Sequence, residues 1–226
     1  MTGEYRSELA ITDRWRDSAA GEWREIRGRA LAALGREQDV RELLATGDTA
    51  LESFAGEWLR IAAELAAHGH QRAATAKAES VLTRLELEPD TGWVLRSLLE
   101  ADRLLGRPEH ELSVLQRIAP DGSDSVDGLD VRARVALLSG DTAQVEAIYS
   151  GLAEWSSLPL MSPALRSSLI RIRARIATGL GRREEAMALI RTPRGIGFSS
   201  AEYHSDALLA PLRGYPPFKA FLKFDD

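Results

Sequence analysis

The sequence contains no cysteine, and this absence excludes several kinds of site at once. Disulfides, thiolate-bound metals, iron–sulfur clusters and cysteine nucleophiles all require a thiol. Aromatic residues make up only 6% of the 226 residues, and Val and Ile are scattered rather than clustered, so signals for β-strands are few. No hydrophobic run approaches the roughly 18 residues that span a bilayer.

An excess of positive charge is also lacking. The 29 Lys and Arg residues stand against 34 Asp and Glu residues, which gives a net charge of -5. Proteins that bind nucleic acids or membrane surfaces normally show a basic excess, so we expect neither partner. The N-terminal segment carries charges of both signs and lacks the apolar core of a signal peptide, so we expect a cytoplasmic protein.

Residues that favour helices dominate what is present. Ala, Leu, Arg and Glu are abundant, and all four have high helix propensity. Apolar residues recur at spacings of three and four, as in Trp58, Ile61, Ala62, Leu65 and Ala66. The pattern predicts an all-α fold.

Five glycines divide the chain at near-regular intervals. Gly35, Gly69, Gly106, Gly140 and Gly181 are 34, 37, 34 and 41 residues apart, and each follows an apolar helical stretch. A helix of about 14 residues, a short turn and a second helix fill such a period. Glycine suits the turn because it adopts a left-handed conformation without a Cβ clash. Positions seven and four before each glycine, and five and nine after it, also repeat, which predicts closely packed antiparallel helix pairs.

This pattern resembles the tetratricopeptide repeat, a 34-residue helix–turn–helix unit that stacks into a right-handed superhelix. The resemblance implies a right-handed superhelical α-solenoid of about five antiparallel helix pairs within residues 1–195. The units are expected near residues 21–50, 55–88, 92–119, 126–154 and 165–191. Three residues depart from the family pattern. Glu111 stands where the family has a small residue, and Arg132 and Arg173 stand where it usually has Leu.

Residues 196–226 are predicted to cap the repeats. The stretch Leu-Ala-Pro-Leu-Arg-Gly-Tyr-Pro-Pro-Phe resembles the closing segment of many bacterial tetratricopeptide arrays. Leu212, Phe218, Phe221 and Leu222 are expected to cover the exposed end of the stack. Such arrays often form the C-terminal half of larger signalling proteins, behind a kinase, a cyclase or a DNA-binding regulator domain. The resemblance therefore also allows an alternative function, a regulatory or sensor half of such a protein.

The sequence shows no motif of catalysis. It has no Gly-rich phosphate loop, no G-x-S-x-G elbow and no H-E-x-x-H, so we expect no enzyme activity, no catalytic residue and no cofactor. His68 and His70 flank Gly69 without a third ligand nearby, which favours a solvated turn over a metal site. Residues 121–130 lack the sixth-position glycine and the twelfth-position glutamate of a calcium loop, and predict a capped helix start instead.

The resemblance implies a concave surface lined by the first helix of each unit. Residues at its expected positions include Trp93, Arg96, Arg103, Arg134, Arg171 and Arg175. Guanidinium groups bind carboxylates through two parallel hydrogen bonds. The resulting hypothesis is a non-catalytic scaffold that binds a peptide or protein in an arginine-lined groove, with an acidic segment or a C-terminal carboxylate as the suitable guest.

Two alternatives to this groove stay open. The arginines could instead pair with Glu100, Asp127 or Asp130, or lie in solvent, as exposed charges commonly do. An RNA-binding helical repeat is less favoured, because the groove positions show no recurring pair of base-reading side chains.

Overall fold

A computed structural model describes residues 2–14, 22–45, 51–118, 125–157, 161–192 and 200–222. Every regular element in these ranges is a helix and none is a strand, so the predicted all-α class is confirmed. The helices are α1 (Thr2–Arg14), α2 (Glu22–Ala33), α3 (Glu37–Ala45), α4 (Leu51–Ala67), α5 (Gln71–Leu85), α6 (Gly92–Leu105), α7 (Pro108–Ile118), α8 (Val126–Ser139), α9 (Thr142–Ser156), α10 (Pro163–Gly179), α11 (Arg183–Arg191), α12 (Ser200–Ser205), the 3₁₀ helix η1 (Ala207–Leu212) and α13 (Pro216–Leu222).

The five turn glycines all adopt the predicted left-handed backbone, with φ between 65° and 88°. The residue after each glycine donates its backbone N–H to the carbonyl oxygen of the residue four before the glycine, at 2.8–3.0 Å. His70, for example, donates to Leu65, and Arg182 donates to Ala177. This hydrogen bond satisfies a carbonyl that the helix end would otherwise leave without a partner. The same turn therefore closes α2, α4, α6, α8 and α10.

The repeating positions around these glycines form the core. Residues seven before, four before and five after each glycine are buried in all five cases. The position nine after it is buried wherever its side chain is described. On α2, a Cβ atom added to Gly28 would overlap Cδ1 of Ile61 on α4, so a larger residue there would force the Ile61 side chain to shift. The small residues thus allow the close helix approach that the sequence predicted.

The described residues divide into two compact units, one that runs up to Arg107 and one formed by Pro108–Leu222. In the first unit, α4 packs against α2, α5 and α6, and α1 packs against α2. In the second unit, α10 packs against α8, α9, α11 and η1. The border between the two units falls just after Gly106, inside the third predicted helix pair. The border predicted at residue 195, between the repeats and the cap, lies outside the described residues. No helix of the described ranges is long and apolar enough to cross a membrane.

Helix α1 is an element that the predicted units did not include. Tyr5 and Leu9 on α1 are 4% and 7% exposed and belong to the same core cluster as Leu31 on α2 and Ile61 on α4. Buried Thr12 continues this face. The spacing of these three side chains, four and then three residues, is the sequence signal for this amphipathic helix.

The C-terminal segment packs against the last helix pair. η1 contacts α10, and α13 contacts α11 and α12. Leu212, Phe218 and Leu222 are buried, and their role as the cap of a repeat stack stays a prediction. Phe221 is partly buried, and its ring lies 5.9 Å from that of Tyr203 in an edge-on arrangement.

Candidate functional site

The six predicted groove residues fall in both units. Trp93, Arg96 and Arg103 lie on α6 in the first unit, and Arg134, Arg171 and Arg175 lie on α8 and α10 in the second. Their ion pairs and their exposure differ, and these differences distinguish residues that could contact a partner from residues that stabilise the fold.

Arg134 binds a carboxylate of its own chain. Its Nε and Nη2 donate to the two carboxylate oxygens of Glu111 on α7, at 2.8 and 2.6 Å. The Glu111 side chain is only 2% exposed, and that of Arg134 is 22% exposed. The departure at Glu111 therefore has a structural reason: where the family pattern has a small residue, this chain has an ion pair between α7 and α8.

Arg175 is held by two carboxylates. Its Nη1 donates to Asp130 on α8 and its Nε donates to Asp206 before η1, both at 2.9 Å. Burial alone would lower the pKa of Arg175, but the charges of Asp206 and Asp130 outweigh burial and raise it. Arg134 and Arg175 border a crevice of only about 20 Å³, close to the volume that one water molecule needs. Asp130 was one of the alternative partners that the sequence left open, whereas Glu111 and Asp206 were not predicted.

Arg171 and Arg173 are partly buried on α10. The guanidinium carbon of Arg173 lies 4.7 Å from the centre of the Tyr149 ring on α9, in a cation–π contact. The hydroxyl of Tyr149 in turn donates to Glu185 on α11 at 2.7 Å. The departure at Arg173 thus also has a packing role, since its cation covers an aromatic ring of the neighbouring helix.

The α6 residues of the first unit are more open. Trp93 and Arg103 are partly buried, whereas Arg96 is exposed and forms no ion pair with any described residue. Desolvation raises the pKa of Glu100 on the same helix, and the charges of Arg60, Arg103 and Arg96 oppose this shift. Glu100 therefore lies among three arginines, and it was one of the predicted partners.

The two histidines beside Gly69 make separate contacts. Nε2 of His68 lies 3.3 Å from Glu64, and Nδ1 of His70 lies 3.4 Å from Glu37. The side chain of His68 is only 14% exposed and packs edge-on against Tyr5, so the expectation of a solvated turn is wrong for His68. Its burial follows from α1, which the sequence analysis did not include.

His204 lies in α12 and is also buried, at 7% exposure. Within the described residues, no three His, Asp or Glu side chains are grouped as a metal ion would need.

A cavity of about 700 Å³ between α3 and α5 was not predicted. Arg41 lines it from α3, and Arg72 and Lys77 line it from α5. The sequence analysis sought binding residues only on the first helix of each pair, while this cavity is formed by second helices. Its sequence signal is the set of basic residues on the second helices of the first two pairs.

No protein-family model, curated protein or solved structure matches this chain. The relation to the tetratricopeptide repeat and the alternative regulatory role both stay predictions.

Proposed function

We propose that the chain is a non-catalytic helical-repeat protein that binds a segment of another protein. In this proposal it is a right-handed solenoid of about five antiparallel helix pairs of the tetratricopeptide type. The observation that supports it best is the turn repeated five times, with one backbone conformation, one hydrogen bond and one set of buried positions. Repeats of this kind place equivalent side chains of successive first helices on one surface, which is the usual binding surface of solenoids.

The proposed contact residues lie on α6. Trp93, Arg96, Glu100 and Arg103 are spaced by three, four and three residues, so they share one face of that helix. Trp93 offers a partly exposed aromatic surface, and Arg96 offers an unpaired guanidinium group. Tryptophan and arginine are the residue types that most often dominate binding energy in interfaces.

The charges on this face of α6 determine which kind of partner segment we expect. Arg60 on α4 binds Glu25 on α2 at 2.8 Å, and Glu100 lies among Arg60, Arg96 and Arg103. Arg60 and Arg96 are both exposed, but Arg60 binds Glu25, whereas Arg96 forms no ion pair with a described carboxylate. We therefore propose a partner segment that presents Asp or Glu to Arg96 and an apolar side chain to Trp93. Arg134 and Arg175, which bind carboxylates of their own chain, have structural roles in this proposal.

A displayed library of random peptides tests the proposal with the full-length chain as bait. We expect the recovered peptides to be enriched in Asp and Glu beside an apolar residue. Arg96→Glu should weaken their binding at least about tenfold, because it replaces attraction by repulsion. The matched control is Arg6→Glu, the same charge change at an exposed site on α1.

Two results would count against the proposal. One is the recovery of no binding peptide from the library. The other is the recovery of peptides that bind the Arg96→Glu and Arg6→Glu proteins equally well. Helicity measured by circular dichroism, expected to be the same in both variants, ensures that a loss of binding is not a loss of fold.

A further inference from the structure

The cavity between α3 and α5 is lined by positive charges that no carboxylate of the described residues neutralises. Arg41, Arg72 and Lys77 line it, and within the described residues none of them pairs with a carboxylate. Arg134 and Arg175 of the second unit differ from them, because each is bound by carboxylates. In a chain of net charge -5, three unpaired cations around one cavity form a local field that favours an anion.

Lys77 is partly buried, which disfavours its charge, while a cation–π contact favours it. Its Nζ lies 3.4 Å from the centre of the Trp58 ring on α4. Burial, together with the positive charge of Arg41, lowers the pKa of Lys77 to about 8. An anion placed between Lys77 and Arg41 would offset both effects, because it attracts the two cations and shields them from each other.

Glu37 is the one carboxylate among the described lining residues, and it faces His70 at 3.4 Å. It forms no ion pair with Arg41 or Lys77. Ala73 and Ala76 on α5 give the cavity accessible apolar surface, whereas Val40 and Leu65 behind it are only 2% exposed. The first turn of α5 also lines the cavity, and the side chain of His70 does not cap that helix. The cavity thus combines apolar surface with cations and an uncapped helix start.

We propose that this cavity binds a small phosphate monoester that carries an apolar or aromatic group. The phosphate, with close to two negative charges at neutral pH, would lie between Arg41 and Lys77 with Arg72 at the edge. The organic group would lie against Ala73 and Ala76. A volume of about 700 Å³ falls within the usual range of small-molecule sites. This site lies on second helices, whereas the proposed partner-binding residues lie on α6, so each proposal stands without the other.

Binding of 1-naphthyl phosphate to the full-length chain, measured by titration calorimetry and by amide NMR shifts, tests this inference. We expect saturable binding, with the largest shifts in α3 and in the first turn of α5. Arg41→Gln and Lys77→Met should each weaken binding about fivefold or more, since each removes one cation. Arg6→Gln is the matched control, because it removes an exposed positive charge from α1 in the same unit and should leave the affinity unchanged.

Three analogues separate the contributions of charge and apolar surface. We expect uncharged 1-naphthol and inorganic phosphate to bind much more weakly than the ester, and 1-naphthoate, with one negative charge, to bind with intermediate affinity. Equal affinity for 1-naphthol would overturn the role of the cations, and equal affinity for 1-naphthoate would overturn the assignment to phosphate. Absence of binding to the folded chain, or equal weakening by Arg41→Gln and Arg6→Gln, would overturn the site itself.

Discussion

Arg134 and Glu111 form a bidentate ion pair whose two hydrogen bonds measure 2.8 and 2.6 Å. The two residues are 23 positions apart and join α7 to α8 within the second unit. Because the carboxylate is almost completely buried, Arg134 neutralises a charge that has no access to water. Its main effect is therefore on stability.

Removing only the arginine should be costly. Arg134→Met is expected to lower the free energy of unfolding by about 3 kcal/mol, because it leaves the buried Glu111 carboxylate without its cation. Arg134→Met combined with Glu111→Leu should recover most of this loss, since an apolar pair needs no compensation. Urea unfolding measures both. Arg183→Met, at an exposed site on α11, is the control and should change stability little. A single variant as stable as this control would show that the pair is dispensable.

Glu64 should make the first unit sensitive to acid. It is 0% exposed and interacts with Tyr5, His68 and Arg29. Burial alone would raise the pKa of Glu64, but hydrogen bonds from His68 and Tyr5 and the charge of Arg29 lower it overall. A carboxylate with a lowered pKa stabilises the fold above the pKa of the unfolded chain, near 4.5, and loses this contribution as the pH falls further, through the folded pKa.

Comparison of the original chain with Glu64→Gln in urea between pH 3 and pH 7 measures this effect. The difference in stability should be largest near neutral pH and should shrink below about pH 4.5. Glu88→Gln, at an exposed site in the same unit, should show no such dependence. A difference between Glu64→Gln and the original chain that is constant over the whole range would contradict the role of Glu64.

Substitutions at Gly35 and Gly106 distinguish the cost of backbone strain from the cost of a side-chain clash. Both have a left-handed backbone, with φ of 70° and 65°. An added Cβ would lie 2.9 Å from Cε1 of His70 at Gly35 but within 4 Å of nothing at Gly106. Each change to Ala should cost about 1 kcal/mol through the backbone, and Gly35→Ala should lower the melting temperature further. The double variant Gly35→Ala with His70→Ala should recover the additional loss of melting temperature, because the clashing ring is gone. If Gly35→Ala and Gly106→Ala lower the melting temperature equally, a steric contribution from His70 is excluded.

Binding of 1-naphthyl phosphate should weaken as Lys77 loses its proton. Above pH 7.5 the ester is almost fully dianionic, so a change in affinity reports on the protein. Burial and the charge of Arg41 lower the pKa of Lys77 to about 8, and we expect a several-fold loss of affinity between pH 7.5 and 9.5. Lys77→Met should therefore show weak binding that no longer depends on pH, and a dependence that persists in this variant would show that Lys77 is not its cause.

The helix pairs could be predicted from the sequence because their determinants are local. A left-handed turn strongly favours glycine, so Gly35 and its four equivalents mark every such turn in the described residues. The buried positions follow at constant distances from each turn, as Ala62, Ala133 and Ala174 show.

The charged contacts could not be predicted in the same way. Arg175 has partners 45 and 31 residues away, at Asp130 and Asp206, and no spacing rule connects them. The position equivalent to Glu111 is apolar in the other pairs, so its buried charge becomes intelligible only once Arg134 is placed beside it. The cavity depends on how far apart two helices lie, which the periodicity of either helix does not define.

The shared contact of Arg175 limits how the chain can be shortened. A fragment that ends at residue 195, where the repeats were predicted to end, would retain Arg175 and Asp130 but lose Asp206, together with the buried side chains of Leu209, Leu212 and Phe218. Proteolysis or engineering that removes this tail would expose an apolar end and favour aggregation. The smallest stable form of the second unit therefore extends to about residue 222.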